Sequence, residues 1–485
     1  MPVFLWTDFL LYLLLAGIGL FVFFAARSKP LREPWLRVFR SRMGMASAVV
    51  LLAFAIIGIL DSVHFRPLQA QAGQDGQPRY AAQIVSVLDV IAGDLAERTE
   101  QTYSAPFATR SYVQQVVTDE AGNTRQIFPR LAHGGAHLEG ESASVPLDVA
   151  LRGAAGAIQG LIVWLALAAL LVLLLSRRRG LPATTRALWH DQTPLRWRAA
   201  LLTAAVIAAL GGAIIELAGH YHVLGTDKVG QDVLLQAVKS IRTGLLIGTL
   251  TTLVMLPFAL VLGVMAGYFK GWVDDVIQYL YTTLSSIPGV LLIAAAVLML
   301  QVYMENHPEL YRTTTERADL RLLFLCMILG ITSWTGLCRL LRAETLKLVE
   351  LDYVQAANAL GVGHMRIMAR HILPNVMHIV LIQIVLDFSA LVLAEAVLSY
   401  IGVGVDPSTE SWGNMINGAR LEMSRDPVVW WPLAAAFFFM LALVLAANLF
   451  ADVVRDAFDP RLRGGTGDDS HTPDEQHAQS NVGAR

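Results

Sequence analysis

Apolar runs of roughly twenty residues recur along the chain between short polar stretches, the length at which a helix crosses ~30 Å of hydrocarbon with its backbone satisfied internally. Nine runs are read, near residues 8 to 26, 45 to 62, 151 to 176, 199 to 218, 243 to 268, 280 to 303, 322 to 341, 376 to 402 and 430 to 450. The pattern changes in the long connection Val63 to Pro146. Tyr80 to Ala96 carries helix-spaced apolar positions, Ser111 to Phe128 alternates as paired strands do around Glu120-Ala-Gly-Asn123, and Gly134 to Ser144 reads as loop. Ile84, Val85, Val87, Leu88, Ile91, Val116 and Val117 supply apolar matter, so a small α+β domain is expected there rather than disorder. Residues 464–485 are rich in Gly, Asp, Ser and Gln without an apolar face, and are expected to form a disordered tail.

A second departure lies between the seventh and eighth runs, in Asp352 to Pro374. Tyr353, Ala356, Ala357 and Leu360 fall at helical spacing, with Asp352 expected to cap the start and Gln355 to reach back. The small pair Ala356 and Ala357 would let another surface approach closely. Gly361 and Gly363 should break that helix, and Met365, Met368, Ala369 and Ile372 repeat the stripe before Leu373-Pro374 opens the next span. Two short helices on a glycine joint make a protruding elbow.

Composition fixes the class and charge fixes the orientation. With 55% hydrophobic and 16% charged residues the chain is an all-α integral membrane protein, and its net charge of −2 is dispersed rather than gathered into a nucleic-acid-binding face. Six of the sixteen residues from Arg27 to Arg42 are basic, and Arg177, Arg178, Arg179, Arg186, Arg196 and Arg198 form a second cluster. Both are expected on the cytoplasmic side. Alternating the spans from there puts the elbow inside, and Val63 to Pro146 and the first residues outside. The first span is preceded only by Asp8 and followed by Arg27 and Lys29, the reverse of a signal peptide, so it reads as a retained anchor.

The elbow resembles the loop of ABC importer permeases, whose pattern is Glu-Ala-Ala, three residues, Gly, then Leu-Pro after a fixed interval. Gln355, Ala356, Ala357, Gly361, Leu373 and Pro374 hold those places, with Gln for the usual Glu. Further matches to the dipeptide and oligopeptide branch are His222-Val-Leu-Gly-Thr-Asp227 with Gly230-Gln-Asp232, Ala266-Gly-Tyr-Phe269 with Gly271-Trp272, Leu393-Ala-Glu395, Ser411-Trp-Gly413 and Asp459-Pro-Arg461. Gln231 and Val223 depart from the family's Arg and Pro. The ordered set covers roughly residues 196 to 463, and order and spacing make it specific where single motifs are weak. Residues 1–195 then read as an extension with three spans, and 196–463 as a six-span transport core carrying the coupling loop 352–374.

The resemblance implies one of two homologous permeases of a bacterial inner-membrane importer for peptides or similar small solutes. Its implied partners are a second permease, two ATPases that hold ATP and Mg, and an extracytoplasmic solute-binding protein. None of the five lysines follows a glycine as a Walker loop requires, so neither ATP hydrolysis nor a resident cofactor is expected on this chain. Two cysteines on one span and twelve dispersed histidines suggest no metal site. Asp387 near the centre of the eighth span, and Glu395 eight residues on, are candidates for the translocation pathway, against a purely structural role. Gly225, Thr226, Asp227 and Asp232 are candidates for extracytoplasmic docking. An exporter or lipid-acting complex, or a membrane scaffold or sensor using the external segment, are the alternatives.

Overall fold

The computed structural model describes residues 2–27, 29–67, 80–81, 84–118, 124–138, 144–176, 180, 185–188, 193, 195–311 and 313–458. The expected tail, the Asp459-Pro-Arg461 motif, the turn at Glu120 to Asn123 and Arg177 to Arg179 lie outside the described residues. The helices in chain order are α1 (Trp6–Arg27), α2 (Lys29–Arg40), α3 (Arg42–Ser62), α4 (Val87–Ile91), α5 (Gly93–Glu97), α6 (Val145–Ser176), α7 (Trp197–Ala218), α8 (Val233–Phe269), α9 (Gly271–Ser286) and α10 (Gly289–Asn306). They continue with α11 (Thr314–Val349), α12 (Asp352–Ala359), α13 (His364–Ile367), α14 (Leu373–Tyr400), α15 (Trp412–Glu422) and α16 (Trp431–Phe458). Among the described residues nine helical segments are long and apolar enough to cross a membrane, and each overlaps one of the nine runs.

Local chemistry sets the ends of these helices. The Asp232 carboxylate accepts from the backbone N–H of Leu234 and Leu235 at 2.8 and 3.3 Å, capping α8. Thr313 caps α11 through Glu316 N–H at 3.2 Å, and Ser411 caps α15 through Asn414 N–H at 3.0 Å. Pro257 sits inside a continuous α8. Pro288 instead divides the run read at 280 to 303, because a residue before proline is driven out of the helical region: Ile287 is extended at φ −87°, ψ 131°, and α10 starts only after Pro288. The membrane-spanning piece is therefore α10, with α9 a separate amphipathic helix.

The helices before residue 196 are not all peripheral. α3 packs directly on α8 and α16, where a side chain at Gly58 would meet Leu245 and one at Gly44 would meet Val453. α6 and α7 form a peripheral pair whose backbones touch: a Cβ at Gly160 would lie 2.0 Å from Ala208 O, and one at Gly212 would lie 2.3 Å from Gly156 O. That is the close approach small residues give membrane helices.

The segment from Val63 to Pro146 supplies β2 (His64–Phe65), which pairs with β1 (Pro2–Val3) and β3 (Val85–Ser86), and the antiparallel pair β4 (Gln115–Thr118) and β5 (Thr124–Ile127). It has little core of its own. Leu88 is buried, but Val116 and Ile91 are exposed, and Tyr103, Ala105, Phe107, Tyr112, Val113 and Leu138 pack instead against the ends of α7, α8 and α16.

Candidate coupling site

The elbow is built from α12, α13 and one π turn, Met368–Ile372, which runs into α14. Leu351 rather than Asp352 is the N-cap, in extended conformation and without a side-chain bond. Gln355 does reach back, its Nε2 donating to Glu350 O at 3.2 Å. α12 closes in a Schellman arrangement: Val362 N–H bonds Ala357 O at 3.1 Å and Gly361 N–H bonds Asn358 O at 3.0 Å. Gly361 is left-handed at φ +75° with nothing within 4 Å of where a Cβ would stand, so its need for glycine is conformational and not steric. Gly363 keeps an ordinary φ of −59°. The π turn precedes Pro374, which can donate no helical N–H and whose ring would crowd the carbonyl four residues back. A widened turn there relieves that crowding.

The two apolar stripes divide between faces. Val354 and Ala357 are 2% and 9% exposed, whereas Tyr353 is 44% and Leu360 83% exposed, and Ala356 also points outward. In the second half Ile367, Met368 and Ile372 are buried and Met365 is 74% exposed. Ala356 and Ala357 thus serve opposite faces. The buried set belongs to one apolar cluster with Met255 and Ala259 of α8, Ile277 of α9, Leu337 and Leu341 of α11 and Val376 of α14. Burying Val354, Ile367, Met368 and Ile372 contributes about 1.5 to 3 kcal/mol each. The elbow is seated in the bundle, and its outer side is bare.

Polar contacts tie the seat. Tyr268 Oη and His364 Nδ1 lie 2.8 Å apart, and Asn375 Nδ2 donates to Tyr353 Oη at 3.0 Å. Lys270 pairs with Glu350 at 2.6 Å in the open, worth at most about 1 kcal/mol. Arg342 holds Asp274 in a fork at 2.5 and 2.7 Å, and that hydrogen bond lowers the Asp274 pKa below its ordinary value against the push of burial. A cavity of about 320 Å³ opens beside the elbow, lined by Tyr268, Phe269, Glu350, Gln355, Asn358 and His364. Sequence reading missed Asp274 and Arg342, which lie 68 positions apart and on different helices.

The two intramembrane carboxylates are not brought together. Glu395 is 1% exposed, accepts from Ser399 Oγ at 2.7 Å, and packs where Gly413 crosses α14: a Cβ on Gly413 would lie 3.1 Å from its Oε1. Asp387 is half-buried and, among the described residues, accepts from Gln383 Nε2 at 2.7 Å, one turn back on its own helix.

The external candidates are largely covered. Thr226 is fully buried, its Oγ1 donating to Thr102 O at 2.9 Å and accepting from Ser104 N–H at 2.7 Å, while Gly225 and Asp232 are buried with it. Asp227 alone keeps accessible surface, its Oδ1 accepting from Val229 and Gln231 N–H at 2.9 Å each. The docking expectation therefore narrows to Asp227. Beneath, His222 Nδ1 lies 2.8 Å from Asp232 and its Nε2 3.4 Å from Glu100. Burial alone would lower the His222 pKa, but hydrogen bonds to Asp232 and Glu100 push it up to about 9. Burial would raise Glu100, yet His222 and the N–H groups of Ala132, His133 and Gly134 hold it at about 2.

The fold thus presents a polytopic helical bundle with a short helical elbow keyed into its core and open on the outer side. The comparisons name the family. Residues 259–464 match the profile described as binding-protein-dependent transport system inner membrane component. The oligopeptide transport system permease protein OppC of Mycobacterium tuberculosis is 32% identical over 251 residues, 52% of this chain and 80% of the relative. The glutathione transport system permease protein GsiD of Pectobacterium atrosepticum is 32% identical over 243 residues, covering 50% and 73%. The di/tripeptide transport system permease protein DppC of Pseudomonas aeruginosa is 33% identical over 240 residues, covering 50% and 72%. This chain belongs to the binding-protein-dependent ABC transport permeases and is a multi-pass membrane protein.

Proposed function

We propose that this permease pairs with a second permease and two ATPases, receives solute from an extracytoplasmic binding protein, and passes peptides or similar small solutes into the cell. The observation that carries the coupling role is the division of the elbow. Tyr353, Ala356, Leu360 and Met365 face outward, while Val354, Ala357, Ile367, Met368 and Ile372 share one apolar cluster with α8, α9, α11 and α14. A close-packed seat transmits displacement instead of absorbing it. An ATPase gripping the outer face would move the spans. Gln355, Gly361, Leu373 and Pro374 support this by shaping the elbow, and the ATPase supplies ATP and Mg.

The substrate class rests on the relatives, whose names specify oligopeptides, glutathione and di/tripeptides. Asp387 is the better pathway residue of the two carboxylates, because an accessible mid-span acid has to face protein or water rather than lipid. Glu395 acts in packing. The test is uptake of labelled di- and oligopeptides in cells carrying the chain with its partners, with Asp387→Leu as the probe. Changed solute preference at normal membrane abundance is expected. Unaltered uptake and preference would return Asp387 to a packing role.

A further inference from the structure

Where α1 and α2 meet, a groove of about 530 Å³ lies outside both the elbow and the interior of the bundle. Phe21 and Val22 of α1 and Trp35, Leu36 and Phe39 of α2 make apolar walls, and Arg32 is the one charged residue among the described lining. α2 is fixed against the bundle: Val38 is fully buried with Val454, Ala457 and Phe458, and Trp35 stands edge-on to Phe458 at 5.5 Å while stacking on Phe39 at 6.4 Å. The groove is therefore preformed.

Two properties select an occupant. α1 exposes Ile18, Val22, Phe23 and Phe24 beside the groove, which is the surface of a helix in hydrocarbon. The stretch that joins α1 to α2 and continues along α2 is cationic: Arg27, Arg32, Arg37 and Arg40 stand against Glu33, the one carboxylate from residue 27 to 40. Arg32, Arg37 and Arg40 are exposed. Arg196 N–H bonds Phe39 O at 3.2 Å, which brings Arg196 alongside α2. An apolar trough accepts an acyl chain, and a basic stretch at the interface favours a negative headgroup.

We propose that this groove holds one anionic glycerophospholipid of the leaflet on the basic side, its chain along Phe21, Val22, Trp35 and Leu36 and its phosphate at Arg32. The bound lipid braces α1 and α2 against α16, away from the coupling contacts.

The full chain, delipidated in detergent and reloaded with phosphatidylglycerol or phosphatidylcholine, is read by native mass spectrometry and by its unfolding temperature. Phosphatidylglycerol is expected to be retained at least about fivefold better, and Arg32→Gln to remove about that factor. Ala26→Trp fills the groove without changing charge and should reduce retention of both lipids. Excess inorganic phosphate should displace nothing. Equal retention of the two lipids, or unchanged phosphatidylglycerol retention in both variants, overturns the proposal. Displacement by phosphate together with intact binding in Ala26→Trp overturns it as well, in favour of a free-anion site. The unfolding temperature without lipid confirms that each variant is folded.

Discussion

The elbow and the external cover are attached to the same bundle by different physics. The elbow's inner face is apolar, from Val354, Ala357, Ile367, Met368 and Ile372, and all of it comes from within some twenty residues. The outer end is pinned by buried polar contacts from distant parts of the chain. Arg242 donates to Asp8 at 2.7 Å, Asp8 also meets His64 at 2.7 Å, Trp6 N–H reaches Asp319 at 2.9 Å, and Lys239 pairs with Asp89 at 2.8 Å. Non-directional packing allows a seat to shift as a unit. Charged pairs hold one geometry, and losing one partner leaves the other stranded.

The same contrast explains what could be read in advance. Spans and elbow follow from local period and punctuation: apolar run length, Gly361 at the helix end, Pro374 at the start of α14. Even so, period could not show that Ala356 and Ala357 would part between faces, since that depends on where α8 and α11 lie. The strand alternation at Ser111 to Phe128 found its antiparallel pair in β4 and β5. How the segment is fastened to the bundle could not be read, because that depends on pairs such as His222 with Glu100, separated by 122 positions. Neither residue announces its partner. A proline in an apolar run does not announce whether the helix continues or ends: Pro257 lies inside α8, whereas Ile287 before Pro288 is extended and α9 stops there.

The contrast predicts where substitutions act. Ala356→Trp places a bulky side chain on the elbow's outer face and touches nothing in its seat. Uptake should fall to background, at least about a hundredfold, with normal membrane abundance and lost ATPase co-purification; retained uptake would remove the outer face from coupling. At the other end, Arg242→Met strands Asp8 in the buried network. Such a loss costs about 3 to 5 kcal/mol. The expected readout is a lower unfolding temperature and reduced membrane abundance, and an unshifted transition would mean that the network contributes little.

A smaller effect is expected at the elbow joint. Gly361→Ala forces a Cβ into the left-handed region at a cost of about 1 to 2 kcal/mol, in open space where nothing else changes. Asn tolerates that region better. Uptake should drop about tenfold in Gly361→Ala and be largely restored in Gly361→Asn. Equal loss in both would point to a role for the joint other than its backbone conformation.

The smallest expected effect concerns the pH response of the cover. His222 titrates at about 9 in place, above its ordinary 6.5, so the stability it contributes is fully present below 6.5 and is lost as pH rises through about 9. Glu100, lowered from 4.5 to about 2, contributes stability present above 4.5 and lost only as pH falls through 2. The clasp is thus complete between pH 4.5 and 6.5 and loosens on the alkaline side. Ser104, on the inner side of the cover against Thr226, is fully buried, whereas Gln126 on β5 is exposed. Labelling of Ser104→Cys by an impermeant maleimide should therefore be slow at pH 6.5 and speed up towards pH 9.5. Thiolate formation accelerates any cysteine over that range, so the quantity to follow is the rate at position 104 divided by that of Gln126→Cys. A rise of about two- to fivefold in this ratio is expected, with His222→Gln giving a high ratio that no longer depends on pH. Labelling at Gln126→Cys in intact cells also tests whether this face lies outside. A ratio that stays flat in the parent chain would mean that the apolar contacts of Tyr103 and Tyr112 with Trp431, and not the charged clasp, hold the cover down.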